Sequence, residues 1–243
     1  MKGIATMTPT DLAVTFDFGQ TLCDLDTEML ARRLGERRLE VAAARIEASV
    51  SEAWAAYDAA IRQGLGGHPW KILMRQLLAL SGAPSHELEG AVDWLWSEQP
   101  RKNLWRRPIK GMSEIVDELR SAGIPVGVIS NSEGFLAELI EEIGWSMRLP
   151  IVADSGKLAM EKPGAPIFRW AAEALGVDVR QVVHVGDSFA ADVEGAVAAG
   201  MRAVWFRGKP GVPLPAGVTV AADAAGVRAA LRGFGITALS AEG

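Results

Sequence analysis

A chain of 243 residues, 49% of them apolar, is long enough for one large domain or one domain carrying an insert, with a substantial core. Its formal charge of −5 gives no footing for a general nucleic-acid partner, whose electrostatic signature is a clustered basic excess. Cys23, the only cysteine, excludes an intrachain disulfide and a thiolate metal cluster, which suits a reducing compartment. The N-terminus, MKGIATMTPTDLA, lacks the continuous apolar core of a secretory signal, and no stretch reaches the roughly 18 to 20 apolar residues needed to cross a bilayer. The expectation is a soluble, unprocessed, cytoplasmic protein with no membrane partner.

In chain order, Val14 to Leu22 (VTFDFGQTL) reads as a short β-branched and aromatic strand that delivers Asp17, turns at Gly19 and offers a hydroxyl at Thr21. The polar stretch Asp24 to Thr27 can cap a helix, because a short carboxylate accepts hydrogen bonds from free backbone amides. Leu30 and Leu34 precede a stop at Gly35, and Val41, Ile46, Val50, Trp54, Tyr57 and Ile61 then recur at the spacing of a long amphipathic helix. Gly64 to Gly67 breaks it. Pro69 suits the first turn of a helix from Trp70 to Leu80, and a further helix runs from about Pro84 to Ser97. Pro100 ends this helical region, and Arg101 to Lys110 forms a linker.

From Gly111 onward helices alternate with short apolar strands, the pattern of βαβ units on a parallel sheet. Helices are expected at Met112 to Ser121, Glu133 to Ile143, Ala165 to Leu175, Ala190 to Ala199 and Ala224 to Gly233. Strands are expected at Pro125 to Ser130, Ile151 to Ala153, Val182 to Val185, Ala203 to Phe206 and, more weakly, Val218 to Val220. The fold class is α/β, with an all-helical module inserted between the first and second strands.

Several strand ends, or the loops beside them, carry polar groups. The second strand ends in Ser130-Asn131, where a helix N-terminus can hold an anion. Lys162 precedes the helix at Ala165 and supplies a compact positive charge. Gly186-Asp187-Ser188 ends a later strand, with Asp192 following, and together with Asp17 these acids make an all-oxygen site of the kind Mg²⁺ prefers. Taken singly, Ser130, Asp187 and Ser188 each cap a helix and Lys162 is solvated. Taken together on one edge of one sheet, they supply nucleophile, hydroxyl, cation and metal carboxylates.

On these motifs the chain resembles the haloacid dehalogenase-like hydrolase superfamily, in the form with a helical cap after the first motif. The resemblance implies a Rossmann-like three-layer core with a central parallel sheet, made of residues 1–23 and 107–243, and a cap domain of residues 24–106. It implies that Asp17 is the nucleophile, that Ser130 is the hydroxyl of the second motif, and that Lys162 (in KPGAPIF) and Asp187 and Asp192 (in GDSFAAD) are the later ones. Mg²⁺ is then held by Asp17, the carbonyl of Gly19 and Asp187, with Asp192 as ligand or just behind them. Ser130 and Lys162 hold the phosphoryl group, with Asn131 beside it, and Thr21 orders the loop. The implied activity is a Mg²⁺-dependent phosphatase that forms an aspartyl phosphate on a small phosphorylated metabolite.

One position departs from the family pattern. Family phosphatases usually carry a second Asp two residues after the nucleophile, which protonates the leaving alcohol; here Gly19 stands there, and general acid–base help is typically worth about 10²- to 10⁴-fold. Gln20 is no acid, and Asp24 is explained by helix capping. A good leaving group, as in an acyl or anomeric sugar phosphate, makes the loss tolerable. The competing readings are an inactive phosphate-binding or interaction module, a phosphonate hydrolase, for which Lys71 is the only lysine inside the helical module proper, before the linker that begins at Arg101, and a dehalogenase, against which GDSFAAD argues. Trp54, Trp70, Trp94, Trp96 and Trp105 read first as core. Arg101, Lys102, Arg106, Arg107 and Lys110 read as a solvated basic face, His68 as loop punctuation, His86 and His184 as non-catalytic, and Cys23 as packing.

Overall fold

The computed structural model describes residues 12–64, 69–209 and 211–240. The N-terminal segment before Leu12 and His68 lie outside these residues. A six-stranded, wholly parallel sheet contains β1 (Ala13–Phe16), β4 (Val126–Ser130), β5 (Ile151–Asp154), β6 (Val182–Gly186), β7 (Arg202–Phe206) and β8 (Val218–Ala221), in the order β5-β4-β1-β6-β7-β8. From β1 the chain builds outward through β4 and β5 and then returns to the other side of β1 for β6. Strand order therefore reverses at β1, and ligand crevices in open α/β sheets form at such a switch point, beyond the carboxyl ends of the strands.

The period-two alternation of each strand divides the core into two layers. Val14, Phe16, Val126, Val128, Val183, Val185, Val204 and Phe206 pack on one face against α5 (Met112–Ser121), α6 (Leu136–Glu142) and α10 (Ala224–Gly233). Ala13, Ile129, Val182, Ala203 and Trp205 face the other way, toward α8 (Ala165–Ala174) and α9 (Gly195–Ala199). This is the three-layer α/β sandwich expected from the alternating pattern. Full burial of a Val or Phe side chain contributes about 1.5–3 kcal/mol, so a strand whose every position is buried, as in β1, β4 and β6, is held firmly at its end.

Between β1 and β4 run α1 (Thr27–Glu36), α2 (Ala43–Arg62), α3 (Pro69–Leu80) and α4 (Leu88–Glu98). The apolar stripe of α2 and those of its neighbours join the α5 side of the core through Leu30, Ile46, Tyr57, Trp70 and Leu77. The segments entering and leaving these helices form an unforeseen antiparallel ribbon of β2 (Cys23–Leu25) and β3 (Trp105–Pro108). Strands of three and four residues are too short for a periodic signal, so they read as turn and linker. The ribbon also reassigns Asp24: it lies in β2, and the N-cap of α1 is Asp26, whose side chain accepts from the Met29 amide at 2.8 Å. Among the described residues no helix is long and apolar enough to cross a membrane.

Candidate active site

Asp17 follows β1, and Lys162 reaches it from the loop before α8. The Lys162 Nζ donates to Asp17 Oδ1 at 2.6 Å, to Asp192 Oδ1 at 2.6 Å and to the Ile129 carbonyl at 3.0 Å. This lysine is 3% exposed, far from the solvated position that a single lysine suggests. Burial works against its charge, yet the two carboxylates outweigh that and raise its pKa. Asn131 holds the Lys162 backbone from both sides, its Nδ2 donating to the carbonyl at 2.9 Å and its Oδ1 accepting from the amide at 2.8 Å. The side-chain amide expected beside substrate is thus committed to positioning the lysine.

Asp192 is the most heavily satisfied acid. Besides Lys162 it meets His184 Nε2 at 3.2 Å and accepts from the Ser188 amide at 3.0 Å. Burial opposes its ionisation, but Lys162 and His184 prevail and bring its pKa down to about 2. The segment expected to be plain helix from Ala190 is a π-helical turn, Phe189–Glu194, before α9; such turns often occur at functional sites. It lets Asp192 fold back over the end of β6, and Gly186 permits this because a Cβ there would collide with the Asp192 carboxylate. His184 is not a base: buried, it links Thr15 Oγ1 at 3.0 Å to Asp192, and burial pushes its pKa below the usual imidazole range.

Asp187 stands differently. Thr21 Oγ1 donates to its Oδ1 at 3.3 Å, and the Trp205 indole holds its carbonyl at 2.9 Å, but among the described residues no cation forms an ion pair with it. Burial, with Asp17, Asp192 and Asp58 adding their repulsion, raises its pKa well above the carboxylate range. Burial likewise pushes Asp17 up to about 7, with Lys162 opposing and Asp192 reinforcing. One oxygen from each of Asp17, Asp187 and Asp192 lies within 4.8 Å of the others. Clustered carboxylates of which one lacks a counter-charge fit a hard divalent cation, and Asp17 and Asp187 retain the oxygens to hold it.

Ser130 and Ser132 from the end of β4 and the loop after it line a cavity of about 70 Å³ with Asp17, Lys162 and Asp187. Its walls also come from α2 and α3, through Trp54, Tyr57 and Trp70, and from Gln99, Asn103 and Trp105. Trp70 and Trp105 are therefore both core residues and cavity walls, whereas Trp94 stacks beneath Arg33 at 4.5 Å. Asp58 of α2 reaches across to accept from the Ser188 hydroxyl. Nothing in the helical spacing marked Tyr57 or Asp58 as cavity residues. A larger cavity, about 380 Å³, shares Trp54 and Asp187 and is lined by Glu47, Asp58, Arg107 and Arg207.

Trp105 accounts for the departure at Gly19. A Cβ at Gly19 would lie 2.7 Å from both Cδ1 and Nε1 of the indole, so the ring occupies the space that a side chain would need. The remaining sequence candidates are placed elsewhere. Asp24 pairs with Arg207 at 2.7 Å, and Lys71 pairs with Asp93 at 2.7 Å on the surface. Four of the basic residues near the second linker pair with acids, Arg101 with Glu98, Lys102 with Glu36, Arg106 with Glu142 and Arg107 with Glu47. Cys23 is buried, its thiol pushed up to about 12 by burial and Asp24.

The model of the haloacid dehalogenase-like hydrolases matches residues 12–200. The chain belongs to this family. A phosphoglycolate phosphatase of Neisseria meningitidis is 30% identical over 194 residues, covering 79% of this chain and 78% of that protein. A phosphoserine phosphatase of Thermus thermophilus is 29% identical over 176 residues, covering 72% and 66%. Among solved structures, the HAD hydrolase YfnB of Bacillus subtilis, bound to magnesium, superposes with a TM-score of 0.69 at 17% identity and covers 90% of this chain and 98% of its own. This haloacid dehalogenase-like hydrolase is therefore an enzyme whose family motifs meet in one cavity.

Proposed function

We propose that the chain is a Mg²⁺-dependent phosphatase acting on a small phosphorylated metabolite through an aspartyl phosphate on Asp17. The observation that carries this reading is Asp17 at the switch point of the sheet, 2.6 Å from a buried lysine and beside an unpaired Asp187. The phosphatases among the relatives support it. Asp17, the Gly19 carbonyl and Asp187 would hold Mg²⁺, which supplies charge neutralisation for the phosphoryl oxygens. Asp192 stands behind them and fixes Lys162.

In the first step an Asp17 carboxylate oxygen bonds to phosphorus and the bond to the leaving oxygen breaks. That oxygen takes its proton from water, because Gly19 has none to give. Water then attacks phosphorus, releasing inorganic phosphate and restoring Asp17. Lys162 and Ser130 orient the phosphoryl group, while residues 24–106 act as a cap over it, excluding bulk water. Substrates with good leaving groups, acyl or anomeric sugar phosphates, suit a site without an acid at position 19. The compartment consistent with a single buried cysteine is the cytoplasm.

Phosphate release from acetyl phosphate and a panel of phosphomonoesters, with Mg²⁺ or EDTA, tests this. Asp17→Asn should lose about 10⁴-fold or more of turnover, as removal of a nucleophile does. Turnover that survives EDTA or this substitution overturns the mechanism, and no turnover on any substrate favours the binding-module reading.

A further inference from the structure

Tyr57 lines the cavity that holds Asp17, and none of the sequence motifs includes it. It sits in α2 one turn after Trp54, and the two rings meet edge to face at 4.9 Å. The residue is 6% exposed, yet among the described residues nothing hydrogen-bonds its hydroxyl. Most buried polar groups in folded proteins have a partner. The unpartnered atoms of Gln99, Trp105 and Ser132 are sealed inside the protein, whereas the Tyr57 hydroxyl is not, so the surface it keeps opens on the cavity. A phenol so placed is a hydrogen-bond donor with no acceptor of its own.

The surroundings of that hydroxyl point to the acceptor. Burial, with Asp192, Asp17, Asp58 and Asp187 adding their repulsion, raises its pKa well above the phenol range. The oxygen therefore lies in the field of the nucleophile and keeps its proton. In an in-line displacement the leaving oxygen stands across phosphorus from the attacking Asp17 oxygen. Asp17, Ser130 and Lys162 bound the cavity from the core, at or beside strand ends, while α2 and α3 supply wall from the helical module. The leaving group is thereby directed toward the helical module. Negative charge grows on its oxygen as the bond to phosphorus breaks, and a donor already fixed there stabilises that charge without reorganisation. Position 19 supplies no such donor, because Gly19 has no side chain and the Trp105 ring fills the space beside it.

We propose, resting on the phosphatase reading above, that Tyr57 is a catalytic residue whose hydroxyl donates a hydrogen bond to the leaving oxygen. The phenol keeps its proton throughout, and the departing oxygen still takes its own from water. The bond stabilises most when that oxygen is basic, so Tyr57 extends the site from acyl phosphates toward alkyl phosphates.

Tyr57→Phe keeps the ring against Trp54 and removes one oxygen that bonds nothing in the protein, so thermal unfolding should be unchanged. The readout is kcat/KM for acetyl phosphate, 2,2,2-trifluoroethyl phosphate and ethyl phosphate, in order of rising leaving-group basicity. Ethyl phosphate should lose about tenfold or more, the size of a hydrogen bond to a charged oxygen, and acetyl phosphate less than about threefold. Orthovanadate, which places an apical oxygen in the leaving position, should bind the Mg²⁺-loaded variant about tenfold more weakly in calorimetry. A merely structural role would move all three substrates alike. A uniform fall, no change on ethyl phosphate, wild-type turnover of acetyl phosphate alone, or equal vanadate binding overturns the inference and leaves the phosphatase reading standing. Wild-type turnover of none of the three, or turnover that persists in Asp17→Asn, overturns the phosphatase reading and the inference with it.

Discussion

At the sheet edge, Lys162 has three acceptors and Asp192 three donors, all within 2.6–3.2 Å. Among the other residues that line the same cavity, Gln99, Trp105 and Ser132 each keep a buried polar atom with no partner. The first arrangement is complete before any substrate arrives and holds its groups in place, as preorganised electrostatic catalysis requires. The second leaves three buried polar atoms unpaired, each at a cost of about 1–3 kcal/mol. The protein satisfies its polar groups where the family motifs meet and leaves bonds unmade in the wall beside them.

The largest test of this contrast is Lys162→Met. Removing one partner of a buried ion network costs about 3–5 kcal/mol, and here it strands Asp17 and Asp192 together. Urea unfolding in EDTA at neutral pH should show that loss, with Mg²⁺ recovering part of it. A cost under about 1 kcal/mol would mean that the sheet edge is not interlocked.

Gly19→Asp comes next. Forcing a side chain into the space held by the Trp105 ring should cost about 1–3 kcal/mol, as overpacking does. Adding Trp105→Ala should recover part of it, and a thermodynamic cycle over the two positions reads the coupling. Additive effects would show that the indole does not dictate the glycine.

The smallest effect belongs to the wall with the unmade bonds. Burial raises the Glu133 carboxyl above its ordinary value, so the folded state binds more protons there than the unfolded chain does. Wild-type stability is therefore lost as pH rises from the unfolded value near 4.5 through the raised one. Glu133→Gln lacks that proton exchange and should be more stable than wild type at pH 7.5, by less than about 1.4 kcal/mol, one pH unit's equivalent. At pH 4 the difference should vanish. Thermal unfolding at the two pH values checks it, and a gap that widens toward acid would reverse the sign.

The sheet was legible because its strands are short apolar runs, most of them rich in β-branched residues, set between helical patterns; β7, with Val204 as its one β-branched residue, was marked by its aromatic and apolar run. The candidate site was marked out in the same way, since Asp17, Ser130 and Asp187 each stand at a strand end and the structure brings them to one cavity. Lys162 is the exception in kind: its motif could be placed, but its near-complete burial follows from two carboxylates that sequence distance conceals. The remainder was hidden by geometry. Tyr57 and Asp58 sit in an amphipathic helix whose period points to the core and not to a cavity. Gln99 caps the end of α4, Asn103 and Trp105 come from a linker with no periodicity, and Glu133 from a turn after β4. The π-helical turn at Phe189–Glu194 leaves no pattern of its own; it exists because Asp192 must bend back over Gly186.

The indole of Trp105 lying against Gly19 has a historical consequence. A lineage that began with this pair meets a stability cost at the same step that brings an acid to position 19, because the new side chain presses on the ring. A prior change at Trp105 lowers that cost, so the order in which the two positions change decides how steep the path is.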